Sequence, residues 1–385
     1  MYGCDRVALI EVGTTHPQGA RSAFLPDRPR MMSVGHGFDP TMASGAAGRR
    51  RSRTSIRGLD SGTYPPLGVV IQQRSVGILP DMISPIVIVG SPTALGGHLD
   101  GMERTPAELR RLGIVEQLQA RPGLAGARID DAGDALNDPG WAPDPDPRAK
   151  NRALICDYLP RLAGTVEEAL QRRETGTRLL ILGGDCTSHA GAMAGLRRAH
   201  PAQRLGIAWF DAHGDFNTPA TTPSGNVWGM PFAMIVGRGD ADLVAAADGP
   251  TALEEDAALL GGQVLDEEES RMLAASRVAH FGAGMLGTNG GMAALDGWAR
   301  AIGSRVDGLY VAFDMDALDG DAAWAVTMPE PCGLSLATAV DAVTTLATHA
   351  RIVGFGATAI LIGRGGDAEA TVAAVAALAE AALGR

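Results

Sequence analysis

Leu205-Gly206-Ile207-Ala208-Trp209-Phe210 runs without a charged side chain and stops at Asp211-Ala212-His213-Gly214-Asp215. Further along, Leu309-Tyr310-Val311-Ala312-Phe313 stops in the same way at Asp314-Met315-Asp316-Ala317-Leu318-Asp319. Each run is short and apolar throughout, the pattern of a strand buried on both faces. The acidic clusters therefore stand at strand ends. Carboxylates packed so densely would repel one another and resist ionisation unless a cation lay between them. Oxygen-rich ligation with one imidazole suits a hard or borderline divalent ion such as Mn²⁺.

Four further runs, residues 86–90, 179–183, 278–282 and 352–355, have the same character and are bounded by Gly, Asp or Pro. Helical patterns fall between them over residues 105–119, 150–174, 190–198, 240–260, 293–302, 336–350 and 368–383. Thr105-Pro106-Ala107-Glu108 reads as a helix start, with threonine as cap, proline in the first turn and glutamate three residues after the cap. Residues 131–147, rich in Asp, Pro and Gly, read as a loop. Alternation of this kind predicts a parallel, doubly wound α/β sheet. Ligands in such sheets bind beyond the carboxyl ends of the strands, where both acidic clusters fall.

The chain has 385 residues, of which 45% are hydrophobic and 20% charged, as expected of a globule with a sizeable core. No apolar stretch approaches the roughly 20 residues that span a bilayer, so no membrane role is expected. A formal charge of −11 argues against nucleic-acid binding, which calls for a basic footprint. Cys4, Cys156, Cys186 and Cys332 are too scattered for a disulfide framework, and the expectation is a reducing, cytoplasmic location. Residues 1–81 differ: the first 80 hold ten arginines against five acidic residues and show no sustained periodicity. They read as a basic, disordered extension ahead of one domain over 82–385, with Met82 as a natural start.

Three segments taken together resemble the ureohydrolase family, the group of arginases, agmatinases and formimidoylglutamases. They are Gly183-Gly184-Asp185-Cys186, the stretch from Asp211 through Asn217 to Ser224-Gly225-Asn226-Val227-Trp228-Gly229, and Asp314-Met315-Asp316 with Asp319. Residues 101–110 and Met328-Pro329-Glu330-Pro331-Cys332-Gly333-Leu334 extend the likeness. The resemblance implies a three-layer α/β/α sandwich with a mostly parallel sheet of about eight strands. It also implies two bridged metal ions, Mn²⁺ by family habit, held at Cys186, Asp211, His213, Asp215, Asp314 and Asp316. Such ions lower the pKa of a shared water so that it can attack a guanidinium carbon. Asp215 would then relay the proton, Asn217, Thr222, Ser224 and Asn226 would meet the substrate, and Asp319 would lie one shell out. A trimer or hexamer of identical chains and a small-molecule substrate complete what the family implies.

The chain departs from that pattern at the first ligand, a histidine in the family and Cys186 here. A thiolate there would favour Zn²⁺ or Fe²⁺; equally, the position reads as a small buried cysteine beside a one-metal site. The family's proton-shuttle histidine is Trp228. The glutamate that clamps the guanidinium should fall near Ala359, where there is no carboxylate, and the segment 281–285 lacks an expected arginine and acidic residue. A guanidinium buried without a carboxylate partner is costly, so plain arginase activity is not expected. His98, after the first strand, is a candidate catalytic group, and His189 a substitute ligand or, more often for such a residue, a packed one. The expectation is a metal-dependent hydrolase of a non-peptide C–N bond in a guanidino or amidino compound. The alternative is a catalytically silent, arginase-like subunit.

Overall fold

The computed structural model describes residues 83–136 and 146–385. The expected basic extension and the middle of the 131–147 loop lie outside the described residues.

Eight strands form one sheet in the order β2-β1-β3-β8-β7-β4-β5-β6, and every neighbouring pair is parallel. They are β1 Ile86–Ser91, β2 Ile129–Asp134, β3 Arg178–Gly183, β4 Leu205–Asp211, β5 Ala257–Gly261, β6 Ala279–Gly282, β7 Gly308–Asp314 and β8 Ile352–Thr358. Along β3 the side chains alternate between two cores. Leu180 and Leu182 join one, Leu179 and Ile181 the other. The same alternation along β7 sends Leu309, Val311 and Phe313 to the first core and Tyr310 and Ala312 to the second. A strand with an apolar core on each face reads as an unbroken apolar run.

Helices cover both faces. The first core takes in residues of α1 Thr105–Arg111, α2 Ile114–Gln119, α9 Asn289–Gly303, α10 Leu336–His349 and α11 Ala368–Leu383. The second is closed by α3 Arg152–Gln171, α4 Thr187–Ala199, α5 Pro231–Ile235 and α6 Ala241–Ala246. Two short helices, α7 Glu267–Ala274 and α8 Ala283–Leu286, follow β5 and β6. The architecture is the expected three-layer sandwich. Among the described residues no helix is long and apolar enough to cross a membrane.

Three local expectations are corrected. The helix expected over 105–119 breaks at Gly113, which adopts φ +80 between α1 and α2. Thr105 does not cap α1, because its hydroxyl donates to Ile360 O at 2.6 Å and ties the helix to the segment after β8. The loop expected over 131–147 begins with the last residues of β2, an edge strand of mostly acidic side chains. There Arg110 of α1 makes a bidentate pair with Asp131 at 2.7 and 2.9 Å. Charge on an exposed edge is a common guard against further pairing, and it hid the strand from a search for apolar runs.

The candidate metal centre and its cleft

Asp211 ends β4 and Asp314 ends β7, and these two strands are paired through Phe210 and Phe313. Side-by-side parallel pairing therefore brings the two acidic clusters together. After Asp314 the chain turns in a tight 3-10 helix, Met315–Ala317, which Asp314 caps by accepting from Asp316 N at 3.0 Å. Asp316 in turn reaches back to β4, where its Oδ1 accepts from Ala212 N at 3.2 Å. Asp211 accepts from Trp209 Nε1 at 2.9 Å with one oxygen and from His213 N at 2.7 Å with the other.

Asp211, His213 and Asp316 each present a ligand atom within 4.8 Å of the others. His213 Nδ1 lies 3.3 Å from Asp211 Oδ1 and 3.3 Å from Asp316 Oδ2. Two more ligand candidates flank this group. Asp215 is buried and its Oδ2 has no hydrogen-bond partner. It adopts φ +46, and its carbonyl accepts from Phe232 N and Ala233 N, so the backbone caps α5 while the carboxylate lines the cleft. Cys186 Sγ sits at the start of α4 and donates to Asp314 Oδ2 at 2.9 Å.

Glycine makes the approach of Cys186 possible. A Cβ on Gly184 would fall 1.9 Å from Thr93 O. Asp185 faces away from the cluster, fully buried, and accepts from Gly96 N at 2.8 Å and Thr187 N at 2.9 Å. The loops after β1 and β3 are knitted together there.

The electrostatics call for a cation. Burial first, then repulsion by Asp211 and Asp314, holds Asp215 well above the usual carboxylate range. Burial, then Asp316 and Asp211, does the same to Asp314. Asp316 is pushed up to about 6, by burial and then by Asp211. Burial alone would lower His213, but Asp211 and Asp316 raise it far above an ordinary imidazole. Burial and the surrounding carboxylates also raise the Cys186 thiol. Left to themselves, these groups hold protons to higher pH than they ordinarily would. A dication would displace them, since ligands bind deprotonated and metal uptake releases protons. With His213 Nε2, Asp215 Oδ2 and Asn217 Oδ1 all buried and unpartnered, the donor set fits such an ion.

A cleft of about 300 Å³ opens over the cluster. Its wall includes every substrate-side residue named from sequence: His98, Asn217, Thr222, Ser224 and Asn226. Thr222 Oγ1 accepts from Gly225 N at 3.0 Å and Ser224 Oγ from Asn226 N at 3.2 Å, so both hydroxyls also shape their turn. Asn226 Nδ2 lies 3.0 Å from His98 Nδ1 and its Oδ1 accepts from Lys150 Nζ at 3.1 Å. Trp228 packs against Gly97 and meets His98 edge-on at 5.1 Å between ring centroids. Ala359 lines the cleft as the bare position foreseen in the sequence.

Two residues singled out from the sequence lie outside the cleft. Asp319 is not among the cleft residues; it caps a turn by accepting from Asp321 N at 3.2 Å. His189 is fully buried away from the cleft, with Nδ1 2.9 Å from Tyr310 Oη and Nε2 3.0 Å from Thr358 Oγ1. Both ring nitrogens are committed, so His189 is a packed residue.

Sequence reading missed three cleft carboxylates: Asp266, Glu269 and Glu330. Asp266 and Glu269 follow β5, whose first four residues lie within the span read as a helix over 240–260. They form a capping box at α7, and Glu269 Oε1 also accepts from Phe216 N at 2.9 Å. Burial pushes Glu269 up to about 7. The Asp-x-x-Glu spacing of a capping box was the signal available for them. Glu330 approaches His213 Nε2 to 3.7 Å.

The sequence profile described as the arginase family matches residues 84–384. An arginase from Bacillus caldovelox is 31% identical over 261 residues, covering 66% of this chain and 83% of the relative. Arginase-1 of Rattus norvegicus is 30% identical over 256 residues, 65% of this chain and 76% of the relative. Among solved structures, the native arginase of Bacillus caldovelox superposes with a TM-score of 0.70 at 28% identity, over 79% of this chain and 99% of that one. Formimidoylglutamase of Bacillus subtilis shares the fold with a TM-score of 0.62 at 17% identity, over 78% and 86%. Matched over nearly all its described length, this chain belongs to the arginase family.

Proposed function

We propose that the protein is a metal-dependent hydrolase that cleaves a non-peptide C–N bond in a guanidino- or amidino-type small molecule. The observation that carries the reading is the convergence of Asp211, His213 and Asp316 ligand atoms within 4.8 Å beneath an open cleft. When bound, the metal would supply the charge that lowers the pKa of a water to near neutrality.

The chain's own residues would do the rest. Asp211, His213 and Asp316 would hold one ion, and Asp314, Asp215 and Cys186, which flank them, would hold a second. Asp215, whose Oδ2 is unpartnered, accepts the proton of the attacking water and passes it to the departing amine. His98 stands at the cleft wall as a further proton carrier, and Asn217, Thr222, Ser224 and Asn226 orient the remainder of the substrate. Mn²⁺ follows from the family; the Cys186 thiol favours Zn²⁺ or Fe²⁺ at its own position. Because the relatives named above are arginases, L-arginine heads any substrate panel, although Trp228 and Ala359 favour a different compound. By family habit the chain would assemble as a trimer or hexamer.

The test is elemental analysis after incubation with each ion, joined to a screen for ammonia or urea release from guanidino and amidino compounds. Stoichiometric metal and a product release lost in Asp316→Ala are expected. Trp228 and Ala359 favour one competing reading, a silent subunit; metal uptake without turnover of any compound would select it.

A further inference from the structure

We infer that Glu330 is the carboxylate that receives the positively charged head of the substrate, in place of the clamp absent at Ala359. The inference rests on the reading of this cleft as an amidino-hydrolase site.

A cationic amidinium needs a carboxylate whose oxygens are free to accept its paired N–H groups. The cleft offers three outside the metal cluster. Glu269 is committed, with Oε1 accepting from Phe216 N at 2.9 Å and Oε2 from Asp266 N at 3.3 Å. Asp266 is committed too, to Asn217 Nδ2 at 2.9 Å and to its helix cap. Among the described residues Glu330 has no hydrogen-bond partner for either carboxylate oxygen. Its nearest cation-forming neighbour, His213 Nε2, is 3.7 Å away, beyond hydrogen-bond reach.

Backbone contacts place Glu330 next to the bare position. Thr327 N donates to Ala359 O at 2.9 Å, so the segment carrying Glu330 is tied to the residue where a clamp is missing. Gly320 N donates to Glu330 O at 2.8 Å, which fixes the other side of the turn. A Cβ on Gly320 would come within 2.9 Å of Glu330 N, so this tie depends on glycine. Thr327, Glu330 and Ala359 all line the one cleft. The geometry thus moves the counter-charge from the strand end to the adjoining turn.

The experiment uses the head group alone, charged and neutral: guanidinium chloride and urea at millimolar concentration, titrated against the full-length Mn²⁺-loaded protein and read by calorimetry. Wild type should bind guanidinium at least about tenfold tighter than urea. Glu330→Gln should remove that preference while leaving Mn²⁺ affinity and Tm unchanged, and adding Ala359→Glu to it should restore the preference. If Glu330→Gln keeps the preference, the assignment is wrong. It is also wrong if the variant weakens Mn²⁺ and both probes alike, which would make Glu330 a support for His213. Metal-loaded wild type that binds urea as well as guanidinium overturns the assignment alone. Wild type that takes up no metal overturns the functional reading beneath it.

Discussion

The Cys186 thiol donates a hydrogen bond to Asp314 Oδ2 across 2.9 Å, joining the start of α4 to the end of β7 where the family places a histidine ligand. On the two-ion reading proposed above, that proton stands where a second ion would bind. An ion at this position must displace it, and a hard ion gains less from the thiolate than a soft one. Titration with Mn²⁺ should therefore saturate near one ion per chain in wild type and near two in Cys186→His, measured by elemental analysis after desalting. Equal stoichiometry in the two proteins would show that Cys186 does not limit Mn²⁺ binding.

Trp209 supports the candidate metal cluster from within the second core. Its indole N–H donates to Asp211 Oδ2 at 2.9 Å, while its ring stacks on Phe232 at 5.2 Å between centroids. Partners that orient ligands are worth about 10- to 100-fold in metal affinity. Trp209→Phe keeps an aromatic ring and deletes the donor. Its metal affinity, measured against a competing chelator, should fall within that range, and circular dichroism should report an intact fold.

Much of this arrangement was legible in the sequence because Asp211 and Asp314 announce themselves twice, as ends of apolar runs and as members of dense acidic clusters. Parallel pairing of β4 with β7 converts that linear signal into a site. What stayed hidden lacked contrast. Ala257-Ala258-Leu259-Leu260-Gly261 of β5 follows a helical stretch and opens with alanines, which favour helix over strand, so most of the strand was read into the helix over 240–260 and the carboxylates after it, Asp266 and Glu269, were not tied to a strand end. His98 and His189 were only weakly separated in the chain, since it is the fold that turns His189 toward Tyr310 and Thr358 and His98 toward the cleft. Glu330 was visible within its Met-Pro-Glu-Pro turn, but its role depends on neighbours brought from β4 and β8.

His189 predicts a feature of acid denaturation. Burial lowers its pKa from 6.5 to about 3 in the folded protein. Above pH 6.5 the imidazole is neutral in both states and adds no pH dependence. Between 6.5 and 3 the unfolded chain takes up a proton that the folded one refuses, so stability falls as pH falls, by roughly 1.4 kcal/mol per pH unit. Below about 3 both states are protonated and the loss stops. His189→Gln, which cannot titrate, should lack this component. Chemical denaturation of both proteins at pH 7, 5 and 4 gives the comparison; parallel curves would show that His189 is not held neutral.

Gly184 admits no side chain, since a Cβ would meet Thr93 O at 1.9 Å and backbone cannot swing aside as a side-chain tip can. Overpacking of this kind costs about 1 to 3 kcal/mol. Gly184→Ala should lose that much stability in urea. It should also weaken binding at the Cys186 side of the centre more than at His213, since Gly184 leads directly into Cys186. Calorimetric Mn²⁺ and Zn²⁺ titrations separate the two effects, and an unchanged Zn²⁺ isotherm would contradict the second.

Trp228 stands where the resemblance to the family puts a proton-shuttling histidine, with its backbone N–H held by Gly96 O at 2.9 Å and its ring laid on Gly97. The ring has no group to exchange protons, yet it lines the same cleft as Asp215 and His98. A well-placed general acid or base is worth about 10²- to 10⁴-fold. Trp228→His would both clear indole volume from the cleft and add such a group. Its kcat for amidino or guanidino compounds should therefore rise at least about tenfold, with a new ionisation near neutral pH in the rate profile. A rise in kcat without that ionisation would mean the indole acts only by filling space. No rise would leave proton transfer to His98, and His98→Ala in the Trp228→His protein would then abolish the remaining activity.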